Sequence, residues 1–151
     1  MSLIPKFAEY AAAFEKAFES DDWSVVEPFF DEEAVYEIGA PLLGATRCED
    51  RKAILAWFPD VLDRFDRLFD RRELTLLDGP KEENGEVWIR GSATYRKEGL
   101  PDFVLVLEET VRFKDGRIIH LEDTYTDAMI AETDAYLRAH GAQLGFEFPE
   151  N

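Results

Sequence analysis

The sequence is poor in the residues that build metal centres and covalent cross-links. A single cysteine, Cys48, excludes an internal disulfide and a cysteine-rich zinc site. Two histidines, His120 and His140, are too few and too scattered for a histidine-led metal site. Basic residues are also scarce: 17 Lys and Arg stand against 33 Asp and Glu, a formal charge of −16. A surface this acidic repels phosphate backbones and anionic lipid, so neither nucleic acid nor a membrane surface is expected as a partner. No apolar run approaches the length of a membrane span, and the best, Phe103 to Leu107, is strand-sized. Met1 to Lys6 lacks the basic region and long apolar stretch of a secretory signal, so an intracellular, cytoplasmic protein is expected. The chain has no phosphate-cradling glycine loop, and its spacing assembles no Ser-His-Asp or Cys-His triad.

What the chain does carry is apolar and acidic. Its 151 residues are 46% hydrophobic and 13% aromatic, enough for a core without a cross-link, and the length predicts one domain over 1–151. Phe7, Tyr10, Ala11, Phe14 and Phe18 recur at helical spacing behind Pro5 and predict a helix over 4–19. Ser20-Asp21-Asp22 stops it and offers caps for a short helix from Trp23 to Phe30. A short strand follows over Ala34 to Ile38, then a loop from Gly39 to Gly44 too rich in Gly and Pro to be regular. Ile54, Trp57, Phe58, Val61, Leu62, Phe65, Leu68 and Phe69 predict a longer helix over 49–69, kinked or split at Pro59.

After Asp70 the apolar period becomes alternating. It predicts strands over Arg72–Leu77, Val87–Arg96, Phe103–Phe113 and Arg117–Thr126, with turns at 78–85, 99–102 and 114–116. Short turns between successive strands predict an antiparallel meander. Asp127 is read as the cap of a last helix that stops at Gly141, and the tail 143–151 as an edge strand or a lid. Helices and strands segregated along the chain predict an α+β fold, with the helices covering one face of a curved antiparallel sheet.

The last two strands set a register. Phe103, Leu105, Leu107, Val111 and Phe113 form the apolar set of one strand, and Ile119, Leu121 and Tyr125 that of the other. Both sets are odd-numbered, so they share a face only across a three-residue loop, Lys114 to Gly116, with Gly116 left-handed. That register sets Leu107 opposite Asp123 and Glu109 opposite Leu121. Glu109 and Asp123, the two acidic interruptions of this face, then lie diagonally within side-chain reach. Desolvation raises the pKa of carboxyls in an apolar cavity, and a like charge nearby raises one further, which suits a carboxyl for acid–base work near neutral pH.

The layout resembles the nuclear transport factor 2-like superfamily, in its SnoaL-like (polyketide cyclase-like) branch, over roughly residues 6–130. The carriers are Phe14 to Trp23 (FEKAFESDDW), Phe29 to Glu37 (FFDEEAVYE), a loop to Arg47, Ala53 to Phe58 (AILAWF) and Val111 to Asp127 (VRFKDGRIIHLEDTYTD). The resemblance implies a cone-shaped roll, a curved sheet wrapped around three to four helices with an apolar cavity at its open end. The acid/base aspartate of the SnoaL-like cyclases falls on Asp123, which also matches the second aspartate of the limonene-epoxide-hydrolase type. The Arg and Asp that such hydrolases carry two residues apart are here Arg90 and Ser92, so one acid is missing. The tyrosine of the ketosteroid isomerases falls on Phe14, their general base near Ile38 with Glu37 one step away, and their second acid near Glu109.

The expected function is a small enzyme that moves a proton next to a carbonyl of an apolar, cyclic or polyketide-like molecule, without metal or cofactor. Asp123 is the expected proton carrier, and Tyr125 or Glu109 the hydrogen-bond partner of the developing oxyanion. The expected substrate contacts are Arg90, Glu37, Tyr36, Trp57, Phe58, Trp88 and Leu121. The apolar parity of Val87, Ile89 and Tyr95 tends to turn Arg90 outward; Glu37 shares a face with Val35 and Tyr36 with Ile38, which leaves the direction of Glu37 open. The even face carries Val104, Val106, Thr110, Ile118 and His120, and predicts a homodimer through the sheet. Two rival functions use the same parts: a non-catalytic binder of an apolar ligand, and an association module built on the sheet face.

Overall fold

The computed structural model describes residues 2–39, 43 and 46–149, so most of the expected loop from Gly39 to Gly44 lies outside the described residues. Helix α1 spans Ile4–Ser20, with Pro5 in its first turn and Phe7, Tyr10 and Ala17 buried. It ends at Asp21, in the left-handed region with φ 61°, whose N–H reaches the Ala17 carbonyl at 2.7 Å. The expected short helix over 23–30 is instead two 3-10 turns, Trp23–Val25 and Glu27–Phe29. Asp22 caps the first, while Pro28 has no N–H with which to extend the hydrogen bonding through the second.

Strand β1 is Phe30–Ile38 and β2 is Arg47–Cys48. Helix α2, Arg51–Arg64, is capped by Asp50, whose carboxylate accepts from the Ala53 N–H at 2.8 Å. Pro59 does not split it. The face formed by Ile54, Trp57, Phe58 and Leu62 stays buried across the proline, and that packing outweighs one missing backbone bond. The helix ends at Arg64, and a 3-10 turn, Asp66–Leu68, replaces its expected last turns.

Strands β3 (Arg71–Glu83), β4 (Glu86–Arg96), β5 (Phe103–Lys114) and β6 (Arg117–Thr124) form the expected antiparallel meander. The expected turn at Asp78-Gly79-Pro80 is absorbed into β3 by two register shifts, and the chain reverses at Asn84-Gly85, both with positive φ. The sheet order is β2-β1-β6-β5-β4-β3, and β1 lies parallel to β6. The sheet is therefore mixed rather than wholly antiparallel: β1, remote in sequence from the meander, joins its β6 edge in parallel. It is curved and unclosed, and the fold is α+β.

The β5–β6 hairpin departs from the expected register in an instructive way. Its loop has two residues, Asp115 and Gly116, with φ 52° and 78°, and Lys114 pairs with Arg117. Parity alone would then send the odd residues of β6 to the outer face. A bulge prevents this: Phe113 pairs with Ile118 but Arg112 with His120, so Ile119 is the extra residue. Beyond it, Val111 faces Leu121 and Glu109 faces Asp123 directly, two residues off the expected pairing and on the same face. The two-residue loop itself sets Ile118 opposite Phe113, in the core and fully buried, which removes it from the expected dimer face. Deleting Ile119 is expected to carry Leu121 and Asp123 to the outer face and to abolish a cooperative unfolding transition followed by circular dichroism. A transition like that of the wild type would show that the register survives without the bulge.

The core falls into two clusters. One joins α1, α2, β1 and the bulged end of the hairpin through Tyr10, Phe30, Tyr36, Ile54, Phe58, Val111, Ile118 and Leu121. The other lies under α3, Asp127–Leu144, and gathers Phe65, Phe69, Tyr95, Phe103, Leu105, Met129, Leu137 and Phe146. Thr126, rather than Asp127, caps α3, accepting from the Met129 N–H at 3.0 Å. The helix runs through Gly141, which is buried, and stops at Gly145 in the left-handed conformation. The tail is neither strand nor lid up to residue 149: Phe146 sits edge-on to Phe65 and completes the second cluster. Among the described residues no helix is long and apolar enough to cross a membrane.

Candidate functional site

A cavity of about 410 Å³ lies between the helices and the inner face of the sheet. Its walls are mainly apolar and aromatic, with Phe14, Trp57, Phe58 and Phe65 from the helices and Leu105, Leu107 and Leu121 from the strands. Leu74 and Leu76 on edge strand β3 line it and are yet 56% and 55% exposed, which places its mouth at that edge.

At the inner end stand the two acids. The parallel β1–β6 pairing sets Tyr36 beside Leu121 and Ile38 beside Asp123. Gly39 then closes on the Asp123 backbone: its N–H donates to the Asp123 carbonyl at 2.8 Å, and a side-chain Cβ there would lie only 3.0 Å from that oxygen. With the backbones held so close, the Tyr36 hydroxyl donates a short hydrogen bond to Asp123 Oδ2. Asp123 is 9% exposed, and its Oδ1 is buried without any N–H or hydroxyl donor among the described residues. Glu109 faces it from β5. A carboxyl proton shared with Glu109 would supply that donor, and two bare carboxylates are strongly disfavoured in an apolar cavity. Burial first, and the neighbouring Asp123 second, push the Glu109 carboxyl well above the usual range. Burial also raises Asp123, opposed by the hydrogen bonds from Glu109 and Tyr36. Burial and mutual proximity thus both favour a pair that holds one proton between its two carboxyls.

Glu109 is the more accessible of the two, and its exposed part is cavity wall. Two further hydroxyls reach this end. Tyr10 and Tyr125 both line the cavity and make no hydrogen bond to the described residues. Burial and the charges of Glu109 and Asp123 hold both phenols well above their ordinary pKa, so they remain donors. Tyr10 was not among the expected site residues; its place on the apolar stripe of α1, one turn from Phe14, was the available signal.

The structure sorts the expected substrate contacts by face. Tyr36, Trp57, Phe58 and Leu121 line the cavity. Glu37, Arg90 and Trp88 do not. Glu37 points away, bonded to Arg47 and to the His120 ring at 2.7 Å, because Tyr36 and Ile38 take the inner face of β1. Arg90 is exposed, on the face opposite Ile89. Trp88 shares that outer face, donates to Glu108 at 3.1 Å and carries Lys81 over its ring. Among the described residues no group of three or more His, Cys, Asp or Glu is arranged to hold a metal ion.

No family model matches the sequence, and no curated protein matches it by sequence. Solved structures match it by shape. Bal32a, from a soil-derived mobile gene cassette, is 23% identical, with a TM-score of 0.65 over 87% of this chain and 96% of its own. TerC, crystallised with polyporic acid, is 13% identical, with a TM-score of 0.63 over 84% of this chain and 96% of its own. IdmH, a candidate polyketide cyclase from Streptomyces antibioticus, is 18% identical, with a TM-score of 0.59 over 85% of this chain and 97% of its own. These likenesses, with the strand order already described, show that the chain has the nuclear transport factor 2-like, ketosteroid isomerase-like fold.

Proposed function

We propose that the cavity binds an apolar, cyclic or polyketide-like small molecule and that the Glu109–Asp123 pair moves a proton next to its carbonyl group, in the manner of a SnoaL-like cyclase or isomerase. The observation that carries this reading is the buried Asp123 oxygen that lacks a donor and faces Glu109 inside an apolar cavity. A pair that shares one proton both gives and takes protons, and burial makes it a stronger base than a free carboxylate.

Asp123 is spoken for on one oxygen by Tyr36 and screened on the other, so Glu109 is the carboxyl that meets the ligand and Asp123 is its proton reservoir. With the shared proton resting on Asp123, Glu109 takes a proton from the carbon beside the ligand's carbonyl. The electron pair of that C–H bond moves to the carbonyl oxygen, and the pair goes from one negative charge to none. The Tyr10 and Tyr125 hydroxyls hydrogen-bond the oxyanion that forms. Return of the proton at another carbon completes an isomerisation; attack of the enolate carbon on a second carbonyl closes a ring. TerC, crystallised with polyporic acid, and IdmH, the candidate polyketide cyclase, support a ligand of this kind.

The reading is tested with 4-acetylbiphenyl, a rigid, apolar, enolisable ketone, followed by NMR in deuterium oxide. Exchange of its methyl protons is expected to be faster with the protein than with buffer, and to fall on acidification as the pair takes up its second proton. Binding without exchange would make the protein a non-catalytic binder, and no binding would sink the ligand reading. A dimeric association module has less behind it. Of the even-face residues expected to drive it, Ile118 is core, and Val104 alone is a large exposed hydrophobic, at 47%.

A further inference from the structure

The acid pair occupies one end of the cavity, and a second polar group stands in the same wall at the other. Asp66, on the 3-10 turn after α2, lines the cavity together with Arg72 of β3, Tyr95 of β4 and Glu15 of α1. Arg72 is held rigidly: its guanidinium makes a two-pronged contact with Glu15 at 2.9 and 3.0 Å and lies over the Phe18 ring at 4.2 Å. Asp66 takes both of its contacts on one oxygen. Oδ2 accepts from the Tyr95 hydroxyl at 3.0 Å and lies 3.2 Å from Arg72 Nε, whereas Oδ1 receives no hydrogen bond from any other described residue. The Arg72 side chain is 7% exposed, and its Nε–H has no acceptor in hydrogen-bonding geometry. Asp66, which lines the cavity, therefore keeps one carboxylate oxygen that takes no donor from a neighbouring described residue.

The two ends are well separated. Ile89, opposite Glu109, and Tyr95 are six residues apart on β4, about 20 Å along the strand. Tyr125 lines the same cavity, and the charges of Asp123, Asp66 and Glu109 all raise the pKa of its hydroxyl. A ligand engaging both ends is elongated.

We propose that the Asp66 end is a second ligand subsite, which takes a hydroxyl group carried on the end of the ligand remote from its carbonyl. Asp66 Oδ1 accepts that hydroxyl's hydrogen bond, and Arg72, fixed by Glu15 and Phe18, holds the carboxylate in place as a positioning residue. Among the described residues the one cation lining the cavity is already committed to Glu15, so the subsite favours an uncharged donor over an anionic group. The inference rests on the ligand-binding reading above and adds the second polar end of the ligand.

Three matched probes test it: 4-acetylbiphenyl, 4-acetyl-4′-hydroxybiphenyl and 4-acetyl-4′-methoxybiphenyl, titrated by calorimetry. The hydroxyl probe is expected to bind about 10- to 100-fold more tightly than the other two, the range for a hydrogen bond to a charged group. The methoxy probe keeps the oxygen but lacks the donor, so it should behave like the parent. Asp66→Leu, which removes the acceptor altogether, is expected to bring the hydroxyl probe down to the level of the methoxy probe. Three equal affinities in the wild type overturn the subsite while leaving the apolar cavity reading intact, and so does a preference that survives Asp66→Leu. If Asp66→Leu does not fold, the order of the probes on the wild type decides. Failure of all three to bind overturns the ligand reading itself.

Discussion

Glu109→Gln is expected to slow ketone proton exchange by about 10²–10⁴-fold, the usual share of a positioned acid–base group. It is also expected to leave the protein at least as stable as before. Gln keeps the shape and one N–H donor for the buried Asp123 oxygen, but removes an acid whose ionisation in this cavity is costly. The sign of the pH dependence follows from the raised carboxyl. A group whose pKa is higher folded than unfolded favours folding below its unfolded value, and that contribution is lost as the pH rises through the folded one. The stability of Glu109→Gln relative to the wild type should therefore be small at acidic pH. It should grow as the pH climbs above the ordinary carboxylate range, reaching about 1–4 kcal/mol. Glu37, Asp21, Asp70 and Glu82, all lowered by hydrogen bonds, are the same in both proteins and cancel in the difference. Thermal unfolding against pH measures this without any substrate. A mutant several kcal/mol less stable at neutral pH would falsify the shared-proton pair and make Glu109 a structural carboxylate.

Arg72→Met should act in the opposite direction and strongly. Met fills much of the same volume over Phe18 but leaves Asp66 in the cavity wall without its cation. Losing one partner of a buried pair typically costs about 3–5 kcal/mol. Glu15, at 43% exposure, recovers water; Asp66, at 15%, does not, and carries most of the loss. For a chain of this size that is a fall in Tm of roughly 6–20 °C. Asp66 already has a pKa raised by burial, against the opposing pull of Arg72, and removing the arginine raises it further. The deficit should accordingly shrink on acidification, as Asp66 takes up a proton in the folded state, and widen as the pH rises. A deficit below about 1 kcal/mol at neutral pH would mean that the guanidinium adds nothing to the stability of this wall.

Much of this protein follows from residues close together in the chain. Helical spacing around Phe7, Tyr10 and Phe14 places α1, and alternation from Arg72 onward places the meander, because these periods are local consequences of which side of an element is buried. The same alternation puts Glu109 and Asp123 on the face of Leu105 and Leu121, and turns Arg90 outward. Applied equally to Trp88, it would have removed that residue from the site as well. The three-residue loop inferred from parity is absent, yet the shared face survives, since the bulge at Ile119 shifts the strand by the one residue that the shorter loop omits.

What no local pattern determines is how remote segments meet. The parallel docking of β1 on β6 brings Tyr36 to Asp123 across 87 residues of chain and sends Glu37 outward to His120. The folding of α1 against β3 brings Glu15 to Arg72 and completes the second polar end of the cavity around Asp66. Tyr36, Glu37 and Asp123 stand out in the sequence as candidate site residues but not as partners in these contacts, and no local pattern singles out Glu15, Asp66 or Arg72. Which carboxyl stays wet, and which loses its water and binds a proton instead, is decided by burial between elements, and burial is a property of the assembled fold alone.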